Sequence, residues 1–121
     1  MNNEGLIKLV NSTESELYER IGMELNSDRK HIFGEKELSV KELISKGKKW
    51  FAFHKNEIKL LVCNNESVLL LLDAPNSDKN ERKILLISAV ADLISSICLN
   101  LSPFTVAALV LIVGMEELCG S

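Results

Sequence analysis

One stretch constrains this chain more than any other. From Ile84 to Met115, thirty-two residues contain a single charge, Asp92. A helix on the surface of a globular protein shows one apolar stripe and one polar face. This stretch instead reads as two consecutive helices, parted at Ser102-Pro103, that are apolar on most or all sides. Ser102 reads as an N-cap and Pro103 as the first helical residue. The second of the two runs to about Cys119, with Gly120 as the residue that ends it. The first spans residue 80 to about residue 101, and its polar residues Ser88, Asp92 and Ser95 form one narrow stripe.

Two apolar helices must be hidden by something. The chain has 121 residues, the size of one domain, so the whole of 1–121 is read as a single unit with one core. The remaining segments are amphipathic and shorter. Residues 4–11 suit a short first helix. Thr13 to Glu16 has the pattern of a capping box, and Leu17, Ile21 and Leu25 continue at helical spacing. Asn26-Ser27-Asp28 is expected to end that helix, leaving 28–36 as a connection with Gly34 at a turn and Ile32 and Phe33 tucked onto the core.

Ser39 reads as the N-cap of a long helix over 39–63, since the 3.6-residue period of its apolar positions persists through the segment. Short apolar runs are ambiguous, and Trp50–His54, Ile58–Cys63 and Val68–Leu72 also suit three strands. The fold expected is therefore an all-α bundle of about five helices around a central apolar C-terminal hairpin, with the 39–63 helix packed across it. The alternative is α+β with a small meander at 50–72. Residues Trp50, Phe51, Leu61, Ile87, Ala91, Ile94, Cys98, Val106, Leu109, Val110 and Val113 are expected in the core. Residues 73–78 form a clear break.

Chemistry is sparse. His54 shares a helix face with Trp50, and no cysteine or carboxylate stands at ligand spacing from it, so it reads as a histidine at the core's edge. Cys63, Cys98 and Cys119 are an odd number at long spacings, which argues against a disulfide framework or a zinc site and for three buried thiols. No phosphate loop, dinucleotide fingerprint or metalloprotease motif occurs. Catalytic, cofactor and metal residues are all expected to be absent. Gly22, Gly47 and Gly114 stand singly in helical patterns, and at Gly47 and Gly114 close helix approach would explain them. Met1 to Glu4 carries neither the basic nor the apolar part of an export signal, and with free thiols this points to the cytoplasm.

Charge is unevenly spread. Residues 38–60 hold six basic and two acidic side chains, whereas 1–37 hold eight acidic and five basic. Lys41, Lys48, Lys55 and Lys59 share one side of the long helix, with Lys46 and Lys49 nearby. The net charge of −3 gives no reason to expect nucleic acid. The function expected is a non-enzymatic helical interaction module that homo-oligomerises or docks on a protein partner, as an accessory or regulatory adaptor of a bacterial system. Its candidate interaction face is Lys41, Lys48, Lys55 and Lys59 with Ser88, Asp92 and Ser95. The alternative is a membrane-active effector or toxin built on the C-terminal hairpin. Asp92 at mid-helix and the short second helix both count against insertion.

Overall fold

The computed structural model describes residues 3–33, 39–73, 79–99, 101–114 and 118–119. Within them the chain is all-α, with six helices. These are α1 (Asn3–Val10), α2 (Glu14–Phe33), α3 (Val40–Val62), α4 (Glu66–Asp73), α5 (Lys79–Ile94) and α6 (Pro103–Val113). The meander at 50–72 is not formed, because α3 runs unbroken to Val62 and α4 begins at Glu66. The break at 74–78, Gly34 and Gly120 lie outside the described residues, as do the side chains of Ile32 and Phe33.

The helix starts follow local chemistry. Thr13 Oγ1 accepts the Glu16 amide at 3.1 Å, and Glu16 Oε1 accepts the Thr13 amide at 3.0 Å. Each side chain satisfies a backbone donor that the first turn leaves unpaired. The Thr13 bonds hold the Glu16 carboxyl below its ordinary range. Ser39 caps α3 in the same way, accepting the Glu42 amide at 3.2 Å. Ser102 precedes Pro103 in extended backbone but makes no side-chain capping bond.

Helix ends depart from the sequence expectation three times. α2 does not stop at Asn26 but runs to Phe33. The weak helix formers there cost only tenths of a kcal/mol each. Contact with α3 reaches at least to Asn26, where Lys46 Nζ donates to Asn26 Oδ1 at 3.4 Å. α5 stops at Ile94, short of Leu101. There Ser95 Oγ donates to the Asp92 carbonyl at 3.1 Å, and the amides of Ile97 and Cys98 bond three residues back rather than four. Serine competing for backbone and a tightened turn together end the helix. α6 stops at Val113, not Cys119, because Gly114 adopts φ +103°. That positive φ, open to glycine and strained for other residues, turns the chain out of the helix.

The same glycine corrects a second expectation. Nothing lies within 4 Å of where a Cβ on Gly114 would stand, so it serves the turn and not close packing. The close approaches are at Gly47 and Gly22. A Cβ on Gly47 would overlap the Tyr18 carbonyl, and one on Gly22 would overlap the Leu43 carbonyl. The pair works reciprocally, each helix offering a glycine to the other's backbone, which brings α2 and α3 into close contact.

α6 sits at the centre. Its six residues Thr105 to Val110 are all buried, and it packs on α5, α2 and α1. The C-terminal hairpin is thus central as the apolar stretch requires. α3 does not lie across it, however. It packs chiefly on α2 and touches α5. Of the expected core, Phe51, Ile87, Ala91, Ile94, Cys98, Val106, Leu109 and Val110 are buried. Trp50 and Val113 are only partly covered, and Leu61 is 36% exposed. Leu61 lies on the flank of α3, about 100° round the helix from Leu60 and so away from the buried line of Ile58 and Val62.

The cysteines also require correction. Cys63, at the end of α3, is joined to Cys119 in a disulfide with the Cα atoms 5.5 Å apart. That separation falls within the window a disulfide needs. Sequence spacing is blind to it because 56 residues separate the partners and the fold closes the gap. Cys98 is the free, buried thiol that was expected, and burial pushes it up to about 11. No helix among the described residues is long and apolar enough to cross a membrane.

Candidate interaction surface

Four lysines of the expected face lie along one flank of α3. Lys41, Lys48 and Lys55 are exposed and Lys59 is half-buried. Lys48 reaches back over the Tyr18 ring, with Nζ 5.8 Å from its centroid. Ser88, Asp92 and Ser95 stand on or just after α5, with Ser88 half-buried and the other two exposed. Among the described residues no hydrogen bond or ion pair joins these three to the lysines. They are two separate polar faces on two helices.

The feature that the sequence did not reveal is the side of α3 turned away from the core. Phe51, Ile58 and Val62 are its buried line. At 100° per residue, Phe53 and Leu60 point almost opposite, with Lys46, Lys49 and Glu57 within about 40° of Phe53. Phe53 is 79% exposed and Leu60 is 73% exposed. A phenylalanine left this bare is unusual for a side chain with so much apolar area. The signal was present as Lys46, Phe53 and Leu60, spaced by seven residues. It was hidden because the buried stripe of the same helix dominates its apolar pattern.

Phe53 is nevertheless held in place. Its ring stands edge-on to His54, with centroids 5.0 Å apart, and His54 lies tilted against Trp50 at 4.5 Å. His54 Nδ1 is 3.0 Å from Glu57 Oε1. With a carboxylate as acceptor, that nitrogen carries the hydrogen. The histidine is therefore an orienting group at the edge of the core, between two aromatic rings.

N-terminal to Phe53 the surface opens into a groove of about 430 Å³, lined by Leu25 of α2 and Lys46, Lys49, Trp50 and Phe53 of α3. Its floor is apolar and its rim carries two ammonium groups. A second groove of about 280 Å³ runs along α1 and α2, beside Lys8, Glu16, Glu19 and Arg20. Its lining is charged and mixed in sign, and its one hydroxyl, Ser12 Oγ, donates to the Lys8 carbonyl at 2.9 Å. No group of three or more histidine, cysteine or acidic side chains able to hold a metal ion occurs among the described residues. Among them, too, no buried side-chain polar atom lacks a hydrogen-bond partner.

No known protein family, no curated protein and no solved structure matches this chain.

Proposed function

We propose that this chain is a non-enzymatic helical docking module that binds protein through the outward face of α3. One observation carries the reading. Phe53 and Leu60 are exposed at seven-residue spacing on a helix whose opposite face is already buried. Apolar side chains in such a row, beside a groove, are characteristic of surfaces that bind a partner. The groove sets the chemistry of that partner. It takes an apolar knob in contact with Leu25 and Trp50 and favours an acidic group within reach of Lys46 or Lys49. The lysine flank of Lys41, Lys48, Lys55 and Lys59 adds long-range attraction for an acidic surface.

Cytoplasmic location is no part of this reading. It leaned in part on three free thiols, and the Cys63–Cys119 bridge removes that part of its support. Stable disulfides belong mainly to oxidising compartments.

A photoreactive phenylalanine at position 53 tests the reading in cells, with the same group at Lys41 as a control. Adducts at 53 to one protein, identified by mass spectrometry and lost when Leu60 is changed to Lys, are the expected result. Adducts to lipid, or no adducts at position 53 above the control, overturn it.

A further inference from the structure

The groove calls for an apolar knob with a carboxylate nearby, and α3 itself displays one. Leu60 is exposed, and Glu57 stands one turn before it on the same side. We propose that the occupant is a second copy of this chain, paired antiparallel along α3 with Phe53 on the two-fold axis.

The register follows from the spacing. With Phe53 facing Phe53 of the second copy, each residue i faces residue 106 − i. Lys49 then faces Glu57 of the second copy, whose Oε1 stays on His54 Nδ1 and whose other carboxylate oxygen is left for the ammonium, and Glu57 faces Lys49 in the same way. Lys46 faces Leu60 of the second copy. That leucine enters the groove between Lys46, Lys49, Trp50 and Leu25, while Leu60 of the first copy enters the equivalent groove. The distances agree. Leu60 lies about 10 Å beyond Phe53 along the helix, and Lys46 lies the same distance before it. An isologous dimer requires such self-complementarity, with knob and groove on opposite sides of one point.

Other arrangements lose this match. Parallel pairing sets Lys49 against Lys49 and Glu57 against Glu57. An antiparallel register moved by one heptad puts Phe53 against Leu60, leaves the groove unfilled and sets Lys49 opposite Asn64. The flank lysines Lys48 and Lys55 point away from the pair in the proposed register, so their repulsion does not oppose it. One helix face per copy is a small interface, of the kind that holds a dimer in the micromolar range.

Sedimentation velocity of the full chain from low micromolar to submillimolar concentration tests the proposal. A monomer–dimer equilibrium is expected. Lys49→Glu and Glu57→Lys should each weaken it about tenfold, by placing like charges face to face. The two substitutions together should return it to within about threefold of the original, since the pair is restored with its signs exchanged. All these positions are exposed, and unchanged circular dichroism melts confirm that folding is intact. A chain that stays monomeric throughout, a dimer indifferent to Phe53→Lys, or a double variant no better than the single ones overturns the proposal. The proposal rests on the docking reading but can fail separately from it. A strictly monomeric chain that position 53 still traps on a different, identified protein removes the self-pairing and leaves docking in place. A chain trapped by nothing at position 53 removes both.

Discussion

α6 and α3 divide the work of apolar residues in opposite ways. α6 is the most apolar of the described helices and presents little of it, since Thr105 to Val110 are all buried and Ile112 is its one exposed residue. α3 carries six lysines and two glutamates, yet it exposes Phe53 and Leu60. Apolar content along a sequence thus locates the core and says little about the surface. A run that is apolar on every side is the run a bundle encloses, provided enough amphipathic helices surround it. Here α1, α2 and α5 do so. Large apolar side chains stay exposed elsewhere too, at Leu70, Leu85 and Leu99, but Phe53 and Leu60 stand in one row on a helix whose average composition is unremarkable and polar.

Substitutions at the two ends of this contrast should give the largest and the smallest effects on stability. Leu109 is fully buried in α6. Leu109→Ala should cost about 4 kcal/mol, through lost burial and the cavity left behind. A urea titration followed by circular dichroism reads it directly, and a loss below about 1 kcal/mol would mean that α6 is not enclosed.

The disulfide comes next. It closes a 56-residue separation and ties Cys119, beside the buried Leu118, to the end of α3. Cys63→Ser should cost about 3 kcal/mol, most of it by freeing the unfolded chain. That corresponds to about 12 °C in melting temperature for a domain of this size. A reductant should lower the melting temperature of the original chain by the same amount and leave the variant unaffected. Gly47→Ala should follow at about 2 kcal/mol, because a methyl group there meets the rigid backbone of Tyr18. At an ordinary exposed helical position the same change stabilises by up to about 1 kcal/mol, so the sign of the effect tests the close approach of α2 and α3.

Alkaline pH should give a smaller loss. Burial raises the Cys98 thiol from 9.0 to about 11, with Glu24 adding to the shift. Burial also raises Tyr18, aided by Glu14. Both groups bind their protons more tightly when folded, so the stability they contribute is full below their unfolded values and is lost as pH rises through the folded ones. For Cys98 the loss falls between pH 9 and about 11. Cys98→Ala should flatten the pH dependence of the melting temperature across that window.

The contrast also shows why some of this was legible beforehand. Thr13, Glu16, Ser39 and Pro103 act within a few residues of themselves, so the helix starts could be read along the chain. The central place of α6 came from the absence of charge, whereas periodicity placed Phe51 of α3 in the core correctly and Trp50 and Leu61 too deep. The ends were harder because they depend on contacts distant in sequence. α2 does not end at Asn26, where Lys46 of α3 bonds it across 20 positions. Gly47 and Gly22 needed knowledge of which helix faced them. The groove is assembled from Leu25 on one helix and Trp50 on another, and no pattern along one segment could have assembled it. Phe53 and Leu60 were visible as residues but not as a surface, since only the packed fold shows which side of α3 remains uncovered.

Phe53→Lys should have the least effect on folding and the greatest on association. The ring touches His54 at the helix surface but is 79% exposed. Its loss should therefore change stability by less than about 0.5 kcal/mol, the ordinary range for a surface position. In the proposed dimer the same substitution sets two ammonium groups against each other at the centre of the interface and removes its largest apolar contact. Central aromatic residues are where binding energy concentrates, so the dimer should vanish from sedimentation profiles at every concentration at which the original chain shows it. The comparison with Leu109→Ala is what gives the result its meaning. A variant that melts normally and no longer associates assigns Phe53 to the partner. If Phe53→Lys instead destabilises folding as strongly as Leu109→Ala, the outward face of α3 belongs to the core, and the division between the two helices does not hold.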